Sequence, residues 1–230
     1  AASDVYKRQV DGIVAASVAM SSDLAARCQA AGVPIVLFNR SQTDDELPSV
    51  TSNNYLGGQT AAKHLLELHH KKIGYIAGWE GASTQVEREE GFNSMILEQN
   101  LIVTHREVGN FEIDEAKEAA KKMFGISDHP TAVFVASDHM AFAVMDVLRS
   151  DIRLRIPQDA SVIGFDDVSL ASYSAYDLTT IRQPIAQMVD STVDILLNQI
   201  EQPTAVENNV IKIDPVLVKR GTCTVNEEKK

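Results

Sequence analysis

The sequence predicts an α/β protein whose strands form parallel sheets. Short apolar runs rich in β-branched residues alternate along the chain with segments of helical periodicity, which is typical of parallel α/β architecture. With 230 residues, 44% hydrophobic and 23% charged, the chain is ordinary for a globular protein. A chain of this size can bury roughly 70–75% of its unfolded surface, so it could form one large domain or two small lobes.

The apolar runs predict the strands. The runs in the alternating part of the chain are 12–16, 34–38, 73–77, 132–136, 161–165 and 179–182. Two further strand-like runs, 209–213 and 216–219, precede a polar tail that we expect to fray.

Helical periodicity fills the intervals between these strands. The predicted helices are 21–31, 55–68, 84–99, 114–124, 138–149 and 184–200. Ser21 and Asp138 are expected to be N-caps, and Gly32 followed by Pro34 is expected to end the first helix. The last helix is the clearest, because Pro184 suits a first helical turn and apolar residues from Ile185 to Ile200 recur on one face.

Bulk properties narrow the class of protein. The net charge of −11 argues against direct binding of nucleic acid, which needs clustered Lys and Arg. The two cysteines, Cys28 and Cys223, have no metal-binding spacing, and no apolar run reaches the roughly 18 residues of a membrane span. The chain lacks an initial Met and a signal-peptide pattern, and residues 1–9 lead at once into a strand, so we interpret it as a fragment that begins inside a domain.

Polar side chains follow two strands near the middle of the chain. Run 161–165 is followed by Asp166 and Asp167, and run 179–182 is followed by Gln183. Carboxylates at the carboxyl end of a strand in an open α/β sheet lie where such sheets bind ligands. The sequence therefore predicts a ligand site at this sheet edge.

A series of strings, in order, resembles the LacI/GalR family of bacterial transcription regulators. The strings are VDGIV at 10–14, GVPIVLFNR at 32–40, Gly57-Gly58, REEGF at 88–92, SVIGFDD at 161–167, LTTIRQP at 178–184 and RGTC at 220–223. Each string alone is a weak signal, whereas their joint order is a specific one. The resemblance covers about Val10 to Cys223.

The resemblance implies a periplasmic-binding-protein-like fold of type I. Two doubly wound parallel-sheet lobes are then joined by three crossovers, with a ligand in the cleft between them. By analogy the N-terminal lobe is 1–79 plus 184–203, and the C-terminal lobe is 80–183 plus 204–230. The first strand-helix-strand of the N-terminal lobe, the DNA-reading helix-turn-helix and the hinge helix are absent from this sequence, so the first lobe is expected to be incomplete.

The resemblance also places five side chains at the family's effector-contact positions. They are Arg88, Asp166, Gln183, Asn53 and Ser137. A sugar effector presents paired hydroxyl donors and acceptors, which suits a guanidinium fork, a carboxylate, amides and a hydroxyl. The family's Asp-Asn pair before the Gly-Gly helix reads Asn53-Asn54 here, and its Asn-Asp pair reads Ser137-Asp138.

Plainer roles remain open for each of these residues. Arg88 could form a surface pair with Glu89 or Glu90, and Asp166 or Asp167 could cap a short helix near 168–172. Gln183 could be an ordinary polar residue before a helix. Asp138 is a better N-cap than a ligand contact. Trp79 and Tyr173 could stack on a ligand, although Trp79 could equally pack in a hinge.

Catalytic and metal chemistry find little support in the sequence. His64, His69 and His70 lie beside Lys71 and Lys72, a cationic setting that disfavours a metal, and no catalytic or cofactor motif occurs. Asp166 and Asp167 are adjacent at a strand end, so they should point in different directions rather than cooperate as a glycosidase pair. We therefore expect no metal, no cofactor and no enzyme activity.

The function implied by the resemblance is the ligand-sensing and dimerisation core of a LacI-type repressor. Such a protein is cytoplasmic and homodimeric. It binds a small effector, most simply a sugar with a purine as another possibility, and it contacts operator DNA only through an N-terminal domain absent here. It has no membrane partner. The alternative is a secreted sugar-binding protein of an ABC transporter, which has the same fold and pocket.

Overall fold

A computed structural model defines two compact units of the chain. It describes residues 10–16, 32–40, 47–202 and 210–227. One unit contains residues 1–51 and 185–213, and the other contains residues 52–184 and 214–230. The predicted helix 21–31, with Cys28, lies outside the described residues.

The described strands and helices follow the predicted alternation. The strands, labelled β1 to β10 in chain order, are Ile13–Ala16, Ile35–Phe38, Ser49–Ser52, Ile73–Ala77, His105–Val108, Ala132–Val135, Ser161–Asp166, Thr179–Arg182, Val210–Ile213 and Val216–Val218. The α-helices, labelled α1 to α5, are Asn54–Glu67, Ser83–Glu98, Ile113–Phe124, Asp138–Val147 and Ile185–Glu201. The α/β fold class is confirmed, and element ends differ from the predicted ones by one or two residues. Among the strands of the described residues, β3 and β5 were not predicted.

The first unit holds a four-stranded sheet in the order β1-β2-β3-β9. Strands β1, β2 and β3 run parallel. Buried Ile35, Leu37 and Leu47 form a small core beside them. Helix α5 packs on β1 and β2, with Leu196 against Gly12, while its Ile185, Val189, Val193 and Leu197 are exposed.

The second unit holds a six-stranded sheet in the order β10-β8-β7-β6-β4-β5. All neighbours are parallel except β10, which is antiparallel to β8. A row of tilted aromatic rings fills the core on one face, from Tyr75 through Phe92 and Phe134 to Phe165. Because β4 is hydrogen-bonded between β5 and β6, residues 52–79 belong to this unit. The predicted lobe boundary after residue 79 therefore does not coincide with the division, and β9 likewise belongs to the first unit rather than to the C-terminal lobe.

Helices α1 and α2 approach each other unusually closely. A Cβ added to Gly58 would lie 2.0 Å from the backbone oxygen of Arg88, and one added to Gly91 would lie 1.9 Å from the backbone oxygen of Tyr55. Two glycines therefore let the helix backbones touch, which brings the start of α1 beside the middle of α2.

Two helix starts in this unit are capped by polar side chains. Asn53 caps α1 by accepting a hydrogen bond from the backbone N–H of Leu56 at 3.1 Å. Ser137 caps α4 by accepting from the N–H of Met140 at 3.4 Å. The predicted N-cap role of Asp138 is therefore wrong, since Asp138 is the first residue inside α4. No described helix is long and apolar enough to cross a membrane.

The His70 side chain forms hydrogen bonds that connect several segments at the amino-terminal edge of this sheet. Its Nδ1 lies 2.9 Å from the Thr131 hydroxyl, and its Nε2 lies 3.1 Å from both the Ser161 hydroxyl and the Thr224 carbonyl oxygen. The ring thus joins the starts of β4, β6 and β7 to the C-terminal segment. No cluster of His, Cys, Asp or Glu that could hold a metal ion occurs within the described part of the chain.

The stability of this unit is expected to fall as pH drops below about 6.5. Burial lowers the pKa of His70 below its usual value, against the opposing effect of the hydrogen bond to Thr224. The unfolded chain then binds the proton more readily than the folded one, so stability present at neutral pH is lost on acidification. Urea midpoints between pH 5.5 and 7.5 should decrease more in the parent than in His70→Gln. The exposed His69→Asn variant should behave like the parent, and parallel curves for parent and His70→Gln would contradict the assignment.

Candidate functional site

The carboxyl ends of four parallel strands meet at one edge of the six-stranded sheet. Strands β4, β6, β7 and β8 all end at this edge because each neighbouring pair is parallel. Trp79, Ser137, Asp166 and Gln183 stand at or just past these ends. This is the edge where open α/β sheets bind ligands.

Asp166 and Gln183 form a direct pair at this edge. The side-chain amide of Gln183 donates to Asp166 Oδ1 at 2.6 Å. Gln183 is 7% exposed, and its Oε1 has no hydrogen-bond donor among the described residues. Burial raises the pKa of the Asp166 carboxyl, while the Arg88 charge and the Gln183 hydrogen bond oppose the rise. The pair therefore presents two adjacent acceptors, which suits a ligand with neighbouring O–H or N–H donors.

Asp167 has partners of its own. Its two oxygens accept from Arg182 and Arg220, each at 2.6 Å. The adjacent carboxylates thus point to different partners, as expected. The hypothesis that either one caps a short helix is wrong, because the 3-10 turn Ser169–Ser172 follows Val168 without a side-chain cap.

Arg88 is the buried hub of the site. It is 3% exposed, its Nη2 donates to Asn54 Oδ1 at 2.7 Å, and its Nη1 donates to the carbonyl oxygen of Ala136. Its guanidinium carbon lies 3.4 Å from the centroid of the Phe165 ring. The alternative of a surface residue paired with Glu89 or Glu90 is wrong, because Arg88 is buried. The Glu89 carboxylate binds Arg106 at 2.5 Å.

Asn53 and Ser137 are helix N-caps at the same edge of the sheet. Besides capping α1, Asn53 donates through its Nδ2 to Asp214 Oδ1 at 2.8 Å. Ser137 is 7% exposed and caps α4. Their caps fix the two helix starts that border the site.

Arg88 contacts residues that are adjacent in the chain to three of the other predicted site residues. Arg88 contacts Asn54, Ala136 and Phe165, which are the immediate chain neighbours of Asn53, Ser137 and Asp166. Asp166 in turn binds Gln183. The structure therefore brings all five predicted residues into one neighbourhood, in which Asp166 and Gln183 are joined by a direct hydrogen bond.

Several members of this neighbourhood were not predicted to belong to the site. Asn54 is fully buried and also donates to the Ser52 carbonyl oxygen at 2.8 Å. Phe165 looked like an ordinary strand residue, and Asp214 like a turn residue. The string Asn53-Asn54 next to a Gly-Gly helix was the one available clue to Asn54. Asp138, expected to be a cap, proves to be a buried carboxyl.

Aromatic side chains flank the same edge. Trp79 follows β4 and is 46% exposed, with its ring against Gly81. Phe111 follows β5, packs its ring on Gly78, and has φ +62°, a conformation that bulky residues rarely adopt. Tyr173 is 59% exposed in the loop after β7. Such rings supply flat apolar surface next to the polar groups.

Comparisons with known proteins agree with this geometry. Residues 62–223 match the family described as a periplasmic binding protein-like domain. The chain is 35% identical to the HTH-type transcriptional repressor PurR of Vibrio vulnificus and 31% identical to the ribose operon repressor of Escherichia coli, covering 94% and 83% of this chain. It spans 65% and 58% of the lengths of those two proteins.

Solved structures show the same fold. A transcriptional regulator CelR–cellobiose complex matches with a TM-score of 0.86 at 28% identity, covering 94% of this chain and 67% of that one. A lac repressor dimer bound to operator and the anti-inducer ONPF matches with a TM-score of 0.81 at 27% identity, covering 94% and 74%.

Proposed function

This chain belongs to the periplasmic-binding-protein-like domain family, in the form carried by LacI-type repressors, and we propose that it is the ligand-sensing and dimerisation core of such a repressor. The parent protein would be cytoplasmic and homodimeric. It would read its operator through a separate N-terminal helix-turn-helix domain, since a net charge of −11 does not suit this part of the chain to phosphate contacts. The transporter alternative gains no support from relatives that are named as repressors.

The pair of Asp166 with buried Gln183 is the observation that carries the ligand-binding part of the proposal. Its spare acceptors would receive two neighbouring donors of a small polar ring, and the nearby aromatic rings would cover that ring's apolar face. A sugar is the effector class that we favour, because hydroxyl pairs fit this arrangement. The CelR neighbour is described in complex with cellobiose, and another regulator of the same fold with ribose.

Regulation would follow from a shift between arrangements of the two units. An effector that binds one arrangement more tightly increases its population. In a dimer, that shift changes the distance between the two DNA-reading heads and so the affinity for a paired operator. No catalytic step is needed for such a protein to act.

A ligand panel tests this proposal. We expect D-ribose, cellobiose or a related sugar to raise the melting midpoint of the protein, with hypoxanthine and guanine as the purine arm. Titration calorimetry should then show that Asp166→Asn weakens binding by about 10-fold to 100-fold, the range for losing one charge-assisted hydrogen bond. Asn keeps the shape of the carboxylate and can still accept from Gln183.

Asp114→Asn is the matched control, because the Asp114 side chain is 94% exposed on helix α3. It should bind the same ligand as the parent does. Equal affinity of Asp166→Asn and Asp114→Asn would contradict the assigned site. Failure of every sugar and purine to shift the midpoint would contradict the effector class.

A further inference from the structure

Asp138 is a buried carboxyl that the proposed effector site does not use. It is fully buried at the first position of α4. Its Oδ1 accepts from the Thr180 hydroxyl at 2.6 Å, and its Oδ2 accepts from the backbone N–H of Val168 at 2.9 Å. One side chain on α4 is therefore bonded to β8 and to the turn after β7.

Strand β7 leaves room for this carboxyl. A Cβ added to Gly164 would lie 2.3 Å from Asp138 Oδ1, well inside contact distance. Any larger residue at position 164 would displace the carboxyl from Thr180. The close approach of Asp138, together with Leu178 Cδ2 at 2.9 Å from the same added Cβ, thus requires a glycine in the middle of β7.

Asp138 is hydrogen-bonded to Val168, directly after the two residues Asp166 and Asp167. Asp166 and Asp167 lie between Gly164 and Val168, with φ of +123° and +59°. Non-glycine residues keep such backbone conformations only where the surroundings enforce them. On the other side, Thr180 lies on β8 three residues before Gln183, which directly follows the strand. Asp138 therefore holds both members of the Asp166–Gln183 pair through their backbones.

We propose that Asp138 is a positioning residue of the effector site, which fixes the 166–168 turn against β8 so that Asp166 and Gln183 stay paired. This inference rests on the proposed function, because it assigns a role within the same site. Asp138 does not touch the effector. It acts through the turn and through β8.

The protonation of Asp138 should make the hydrogen bonds that hold the 166–168 turn depend on pH. Burial raises the pKa of its carboxyl to about 7, and the Asp166 and Asp167 charges add to the rise, while the bonds from Thr180 and Val168 oppose it. A protonated carboxyl turns one acceptor into a donor, so it cannot hold both bonds equally well. The turn should therefore be held firmly above neutral pH and more loosely below it.

Other charged groups act on the neighbours of Asp138. Arg182 and Arg220 pair with Asp167. Arg88 and His139 act on Asp166. A test of Asp138 must therefore separate its own titration from that of these groups, which substitution at position 138 does directly.

Ligand-free NMR provides the first test. Between pH 5.5 and 8.5, the Val168 backbone amide and the Gln183 side-chain amide should titrate together in the parent, with a midpoint near 7. Both transitions should disappear in Asp138→Asn, which keeps the acceptor for Thr180 but has no charge. In Thr180→Val, loss of a bond that favours the charged form should move the midpoint upward. A Gln183 amide that titrates unchanged in Asp138→Asn would overturn the proposal.

Binding provides the second test, with whichever of D-ribose, cellobiose or hypoxanthine binds the parent. Affinity should be about fivefold weaker at pH 6 than at pH 8, the lower end of typical coupling between sites, and the ratio should be smaller in Asp138→Asn. If Asp138→Asn does not fold, Thr180→Val still decides the matter through its shifted midpoint. If no probe binds, the proposed function fails while the NMR titration still supports or overturns the positioning role.

Discussion

Replacing Gly91 with alanine is expected to destabilise the second unit by about 3 kcal/mol, at the upper end of typical overpacking costs. The added methyl group would meet the backbone oxygen of Tyr55 at 1.9 Å, so no side-chain rotation relieves the clash and helices α1 and α2 must separate. For a protein of this size the melting midpoint should drop by about 6–12 °C. Thermal and urea unfolding followed by circular dichroism measure both quantities.

Gly81→Ala is the matched control for this substitution. The atoms nearest to an added Cβ there belong to the ring of Trp79, which is half-exposed and free to move. Its midpoint should stay close to that of the parent. Equal midpoints for Gly91→Ala and Gly81→Ala would show that the helices do not approach as closely as the structure indicates.

The same substitution reaches the candidate site. Arg88 lies one turn before Gly91 on α2 and binds Asn54 at the start of α1. Separating the helices moves the guanidinium away from Asn54 and hence from its place over Phe165. Gly91→Ala should therefore lower the affinity for the effector as well as the free energy of unfolding, although Gly91 is not one of the proposed effector contacts.

The predictable parts of the fold are those with strong local patterns. Apolar runs such as Ile73–Ala77 are buried on both faces and stand out in the sequence. Strand β5 (His105–Val108) is largely polar and pairs only with β4 at the sheet edge, so no apolar run marks it. Strand β3 (Ser49–Ser52) is fully buried yet mostly hydroxylated, and burial of short polar residues leaves no periodic signal.

Part of the geometry of the candidate site could be predicted from the sequence, and part could not. Asp166 and Gln183 follow adjacent parallel strands, so their proximity follows from the sheet itself. The burial of Arg88 does not follow from its helix, where charged neighbours suggest a surface position. It depends on a helix crossing that two distant glycines permit. The division of the chain after residue 51 differs from the predicted lobe boundary after residue 79, and it depends on the pairing of β4 with β6, which joins segments far apart in the sequence.

Replacing Arg88 with methionine is expected to destabilise the second unit by about 3–5 kcal/mol, since bonds from a buried charged group contribute roughly 1.5–3 kcal/mol each. Methionine fills similar space but donates nothing to the Ala136 carbonyl oxygen or to Asn54 Oδ1, and both acceptors are buried. It also removes the guanidinium that lies 3.4 Å from the centroid of the Phe165 ring. Arg88→Lys keeps the charge but lacks the planar guanidinium, so its free energy of unfolding should lie between those of the parent and Arg88→Met.

Arg106→Met is the control that separates burial from charge. Arg106 binds Glu80 and Glu89 at 2.6 and 2.5 Å, but its side chain is 39% exposed. Surface pairs of this kind contribute at most about 1 kcal/mol, so urea unfolding should distinguish the two variants clearly.

Arg88→Met should also raise the pKa of Asp166 further, because in the parent protein the Arg88 charge opposes the effect of burial on that carboxyl. Asp166 would then bind its proton at higher pH and lose an acceptor, so effector affinity should decrease in Arg88→Met and persist in Arg106→Met. Equal losses in both variants would mean that Arg88 contributes only a surface charge, and that the predicted site has no buried cation at its centre.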